Sequence, residues 1–365
     1  MRKRLSVLLV GLLLVCTGCM PQEASVETPP SMTETAETVA PTATAQAAPT
    51  ETAKPTATPT SKPTASPAAS SPIIVAPTAT AAPTETPATG VVVSSIDDLI
   101  ANVAPGVTLL IPAKGLHLDS NTYYADSIDG MTSNPYVSFT DVYGGYAPVI
   151  QDVDGLTIIS ESDEIAPLTN NLESAYVLYF VNCTSLHIEN VSAGHMVQWQ
   201  CEGGVFFMKD CRDVTIHKTE MYGCGTEGLY LEDVVNLTMT DSVIYDCTYN
   251  LLTIFDCRNI LFQNSTFRDT GFQSLVYAKT AYNVVFEDCL FIGNAAYSGM
   301  PFFNVFYDVD IVARRCDFQY NQVPMLTDNS IMRFFDCTFH RNDFDDKGEF
   351  YDDGIWLMYD TTDFD

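Results

Sequence analysis

Residues 205–216 read VFFMKDCRDVTI, residues 228–239 read GLYLEDVVNLTM and residues 251–262 read LLTIFDCRNILF. Val214, Leu237 and Ile260, the first apolar residue after the polar turn in each copy, are 23 residues apart, and so are Cys201, Cys224 and Cys247. Self-similarity at a period of this order signals a solenoid. Inside each copy apolar residues alternate with period two, which makes the repeating elements strands rather than helices.

Extended outward, the anchors become Leu156, Leu186, Val214, Leu237, Ile260, Val284, Ile311 and Met332. Two positions after them stand Ile158, Ile188, Ile216, Met239, Phe262, Phe286, Ala313 and Phe334, all apolar. Several short strands per turn are therefore expected, with like residues stacked in columns at about 4.8 Å along the axis. Cys201, Cys224 and Cys247 fall in one column with Thr270, Asn294, Asn321 and Asn342, where stacked amides bond from turn to turn. Such a column makes these cysteines turn-packing residues. A thiolate site built from Cys201, Cys224 and His195 lacks the C-x-x-C spacing of a zinc centre.

These columns resemble the right-handed parallel β-helix repeat proteins, the architecture shared by pectate lyases, polygalacturonases and many bacterial surface proteins. The resemblance covers roughly residues 107–342 and implies an all-β, right-handed parallel β-helix solenoid. The stretch from His195 to Leu229, with its G-H, C-E-G-G-V and Y-G-C-G-T-E-G-L, is similar to a recurring signature of bacterial β-helix proteins and implies no reaction. The R-x-P-x-x-R motif of pectate lyases is not in the sequence, and of the N-T-D, D-D and G-H-G set of polygalacturonases N-T-D and G-H-G are missing.

Ahead of the coil, Ser95-Ile96-Asp97-Asp98 with Leu99, Ile100 and Val103 reads as a capped amphipathic helix that ends near Pro105-Gly106 and covers the first turn. Residues 20–90 are rich in Pro, Thr, Ala, Ser and Glu, the composition of a disordered, extended tether. Residues 1–19 combine Arg2, Lys3 and Arg4 with a short apolar run, the pattern of an export signal. Their ending, C-T-G-C, resembles a bacterial lipobox, which implies that Cys19 is diacylated and anchors the chain to the outer face of the cell membrane; Cys16 departs from the usual leucine. The domain is then 91–342, followed by an acidic aromatic tail at 343–365 that contains Trp356.

The chain carries a formal charge of −29, nearly all of it after Val91. A field of that sign excludes nucleic acid, anionic lipid and polyanionic polysaccharide as direct partners unless divalent cations such as calcium intervene. It leaves neutral glycans and surface proteins, with a monomer as the expected state. Once Cys16 leaves with the signal and Cys19 takes lipid, nine cysteines remain, an odd number that suits buried apolar side chains better than a disulfide framework.

Three groups are candidates for chemistry. Asp210, Asp233 and Asp256 form a column of carboxylates able to act as acid and base or to attract a cation; Asp at a strand turn equally bonds its own backbone. Glu227 is the best single acid or base, with His195 as its nearest partner. Tyr179, Phe207, Tyr230 and Tyr277 alternate outward in a stripe suited to stacking on sugar rings, with Lys209 and Glu232 as polar contacts. The expected role is glycan binding on this lateral face. A protein-interaction or adhesion scaffold, and a polysaccharide hydrolase or lyase, are the alternatives.

Overall fold

The computed structural model describes residues 89–118, 132–196, 202–223, 225–296, 300–306, 308–323, 326–327, 332–344, 349–352 and 355–358. Cys19, the tether up to residue 88, Cys201, Cys224 and the Trp356 side chain lie outside the described residues.

Each turn of the coil contains three short strands. In one turn Phe206–Lys209 belongs to the sheet named C here, Arg212–His217 to sheet A and Glu220–Tyr222 to sheet B. The equivalent strand of the next turn lies alongside in parallel, and sheets A, B and C reach ten, nine and eight strands among the described residues. One antiparallel pair, Val137–Val142 on Gly145–Gln151, ends sheet C. The predicted file holds in register from Ile158 through Ile188, Ile216, Met239, Phe262, Phe286 and Ala313 to Phe334. Its residues are buried, and where the file is aromatic the rings stack: Phe262 on Phe286 at 4.8 Å and, in the neighbouring file, Phe291 on Phe318 at 4.6 Å.

The corners explain where the polar residues go. Between sheets C and A the chain turns through a residue in the left-handed region, with φ of 55° at Asp210, 54° at Asp233 and 53° at Asp256. The corresponding residues at the start of sheet A, Asp213, Asn236 and Asn259, have φ of 55°, 61° and 57°. Asp and Asn tolerate this conformation better than other residues with a β-carbon, so the corner itself selects them. The amides of Asn236, Asn259 and Asn283 each donate to the preceding turn, at 2.8, 2.9 and 3.0 Å.

Asn294, Asn321 and Asn342 form a second, internal ladder as expected. Asn294 Nδ2 donates to Asn321 Oδ1 at 2.9 Å and Asn321 Nδ2 to Asn342 Oδ1 at 2.8 Å, all three side chains being buried. Cys247 is buried in that column, and the seven described cysteines are free thiols, six of them buried and Cys337 half-buried. Ile96–Asn102 is helical, with Ser95 Oγ accepting from Asp98 N at 3.0 Å, and Ile96, Leu99 and Ile100 join the core of the first turn. In the tail, Glu349–Asp352 and Ile355–Met358 pair antiparallel. Among the described residues no helix is long and apolar enough to cross a membrane.

Candidate functional site

The outer face of sheet C carries the predicted stripe in register: Tyr179, Phe207, Tyr230, Thr253 and Tyr277 are successive partners. These aromatics are half-buried rather than open. Phe207 and Tyr230 stack on each other at 4.9 Å with planes 13° apart, so ring faces meet ring faces and mainly edges are left outward. Tyr176, in the segment that enters the sheet, meets Tyr179, Phe207 and Tyr230 at 5.2, 5.4 and 6.4 Å in edge-to-face geometry. Two residues along the strands, Lys209 Nζ donates to Glu232 Oε1 at 2.7 Å, an ion pair that raises the lysine pKa.

Glu227 lies at the start of its strand, beside this stripe and 8 % exposed. Its carboxylate accepts hydrogen bonds from the hydroxyls of Tyr176 and Thr253, the latter at 3.3 Å. Burial raises the carboxyl above its ordinary range, the two hydroxyls opposing that shift only in part. Burial and the neighbouring Glu227 push the Tyr176 hydroxyl strongly upward, so Tyr176 is a donor throughout the physiological range. Tyr230, with Glu232 and Glu227 both near it, is pushed up to about 12, chiefly by burial.

His195 is not the partner of Glu227 that the sequence suggested. Its Nε2 bonds the Gly204 carbonyl at 3.0 Å, which places the proton on Nε2, and its Nδ1 is buried without a partner. Burial lowers the imidazole pKa and keeps the ring neutral. Tyr176 takes that place instead, and Gly204 permits it for a steric reason. A β-carbon there would lie 2.3 Å from the Tyr176 ring and 2.6 Å from the Glu227 carbonyl, so only glycine lets Tyr176 reach Glu227.

Two open rings stand at the edge of this face. Tyr249 and Phe272 are 39 % and 48 % exposed and meet edge-to-face at 5.7 Å. They sit on the loops that lead from sheet B into sheet C, on successive turns, and Gln273 N ties the loops by donating to Tyr249 O at 3.3 Å. Asn250, next to Tyr249, is in register with Glu227. An aromatic platform thus adjoins a carboxyl, a carboxamide and hydroxyls. The sequence carried a signal for both rings, since each lies two residues past the Cys247–Thr270 column.

At the opposite edge of sheet C, Asp210, Asp233 and Asp256 are exposed and line an open groove of ≈ 540 Å³ with Arg212, Val235, Arg258, Thr280 and Tyr282. The Arg258 guanidinium lies 5.2 Å from the centre of the Tyr282 ring, and Arg212 is two turns away from it in the same file. The carboxylate column is therefore flanked by cations that the sequence reading did not place beside it. Among the described residues no group of three or more His, Cys, Asp or Glu is arranged to hold a metal ion.

Fold and face together define a parallel β-helix with an aromatic and polar lateral surface. The family model for a right handed beta helix region matches residues 144–291, and the solenoid is right-handed. Solved structures similar to the chain include an alginate lyase from Paenibacillus sp. str. FPU-7, at 10 % identity and TM-score 0.32, covering 69 % of this chain and 98 % of that one. The mannuronan C-5 epimerase A-module of Azotobacter vinelandii matches at 12 % identity and TM-score 0.29, with 65 % and 79 % covered. A surface adhesin of Streptococcus pneumoniae matches at 8 % identity and TM-score 0.32, with 67 % and 72 % covered. Likeness at this level transfers no activity. No curated protein sequence matches the chain.

Proposed function

We propose that the protein is an exported, lipid-anchored glycan-binding protein that holds a neutral sugar chain along the edge where sheet B passes into sheet C. The observation that carries this reading is the exposed Tyr249–Phe272 pair beside the Glu227, Asn250 and Thr253 polar cluster. Sugar rings present apolar faces and hydroxyl edges; the two exposed rings suit the faces and the half-buried Asn250 suits the hydroxyls. The half-buried stripe of Tyr179, Phe207, Tyr230 and Tyr277 runs along the outer face of the same sheet, with Lys209 and Glu232 two residues further along its strands. The basic and apolar start of the chain and Cys19 support display at the outer membrane surface, at the end of a long tether.

The test is a glycan array probed with the full-length chain, followed by titration of any glycan retained. Tyr249→Ala and Phe272→Ala are each expected to weaken binding roughly five- to tenfold, the loss of one ring contact of about 1 kcal/mol. Failure to retain any neutral glycan would move the protein to the class of interaction scaffolds. Release of new reducing ends from a retained glycan would make it an enzyme.

A further inference from the structure

We infer that residues 73–75, Ile-Ile-Val, dock on the outer face of sheet A, so that the last part of the tether straps the coil. The inference is independent of the glycan-binding reading. In the sheet A strands Arg258–Gln263, Tyr282–Glu287 and Ile311–Arg314, the core takes Ile260 and Phe262, Val284 and Phe286, and Ile311 and Ala313. Leu261, Val285 and Val312 stand between these pairs, so alternation turns all three outward, and they are successive partners across the sheet. They are nevertheless 2 %, 0 % and 0 % exposed, and none belongs to the core cluster. Thr238, outward on the turn before Leu261, is only 7 % exposed. A sheet face open to solvent leaves such side chains in contact with water, so this face is covered.

The chain enters the coil on this side. Val91–Val92 is the first strand of sheet A, and a β-carbon on Gly90 would lie 2.4 Å from Thr108 O and 3.0 Å from Leu110 Cγ. Leu110 stands between the core residues Leu109 and Ile111 and therefore faces outward. Gly90 is thus pressed against the same outer face that carries Leu261, Val285 and Val312. In the order of the sheet, the strands of these three residues are six, seven and eight places from Val91–Val92, about 29–38 Å away at roughly 4.8 Å per strand. From Val75 to Gly90 is 15 residues, about 46 Å in the polyproline form, which spans that distance with slack for the turn onto the face.

The chemistry of the segment fits the face as well. Ile73, Ile74 and Val75 are the only consecutive branched aliphatics in residues 20–90, and residues 76–89 are Ala, Thr and Pro with the single charge of Glu85. Branched aliphatics match a patch of Leu and Val, and the small residues behind them can lie along a sheet face without burying a charge. The other occupant within reach of the coil is the tail at 343–365, which carries nine carboxylates and one lysine. Seated here it would bring that charge against Glu287, which is outward two residues after Val285 with its side chain 15 % exposed, in a chain already strongly negative. For a chain anchored at Cys19, docking shortens the free tether to residues 20–72. The tether then leaves the coil near its last turns rather than at the helix-capped end.

Hydrogen exchange of the full-length chain, read by mass spectrometry, tests the docking. After correction for intrinsic rates, the amides of Ile73, Ile74 and Val75 are expected to exchange at least roughly tenfold more slowly than those of residues 42–53 in the same tether. Ile74→Asp combined with Val75→Asp should bring the whole tether to one rate. The same variant should raise the fluorescence of a neutral dye for apolar surfaces by roughly twofold, because Leu261, Val285 and Val312 become open. Exchange in the central turns should stay unchanged, since both substitutions lie outside the coil. Val285→Lys should release the same amides from the other side of the contact, and the tether variant keeps the test valid if that lysine variant does not fold. Equal exchange in the two parts of the wild-type tether overturns the inference. So does a dye response to removal of residues 345–365 with none to the aspartate variant, which makes the tail the cover.

Discussion

Glu227 is a carboxyl held on the solvent side of a sheet yet shut from water, between the hydroxyls of Tyr176 and Thr253. Its pKa in the folded chain lies above the ordinary carboxylate value, so folding favours the protonated acid. The stability this contributes is present at pH values below the unfolded pKa and is lost as pH rises through the folded one. Urea unfolding between about pH 4 and pH 8 should show wild type losing stability relative to Glu227→Gln as pH rises; parallel curves would mean that Glu227 is ionised at no cost. Glu227 was legible in the sequence as a candidate acid, but its partner was not. Tyr176 lies 51 positions away and precedes the first regular copy of the repeat, and only the coil brings it over Gly204.

At the scale of the element, the internal asparagine ladder shows how a corner is held. Asn321 donates through Nδ2 to Phe291 O at 3.0 Å and to Asn342 Oδ1 at 2.8 Å, and its Oδ1 accepts from both Asn294 N and Asn294 Nδ2. Asn321→Ala removes these bonds and strands buried partners on two neighbouring turns. A loss of roughly 2–4 kcal/mol is expected, measured by urea denaturation, whereas a change under about 0.5 kcal/mol would show that water replaces the side chain. This ladder could be read from spacing because its residues recur at the period of the coil. Tyr249 and Phe272 follow the same period, but their importance depends on exposure, and the loops that carry them gave no pattern of burial in the sequence. The stripe was placed on the correct face by alternation alone; that its rings cover one another and lie beneath Tyr176 came from the packing.

Across the whole molecule, contacts run chiefly from one turn to the next, so stability is close to a sum of neighbouring interfaces. Helix Ile96–Asn102 buries Leu99, 1 % exposed, against the first turn. Leu99→Ala should cost about 2–4 kcal/mol, and the loss should appear as faster hydrogen exchange in Val91–Val92 and Thr108–Ile111 before the central turns are affected. Uniform acceleration along the coil would instead indicate a single cooperative unit. The strongly negative charge acts at this scale as well, selecting partners by their charge without shaping any one site.

The sequence by itself determined the coil, the files of its core, the corner positions and the outward column of sheet C, because each follows from a period of about 23 residues combined with the period of two within a strand. Only the tertiary structure decided which outward residues are open, which carboxyl is buried and what it meets. Those properties come from loops of unequal length folding back on the coil: one brings Tyr176 onto Glu227, and others leave Tyr249 and Phe272 in solvent. Periodicity fixes the direction of a side chain but not what lies above it, and that difference separates a packing residue from a binding one.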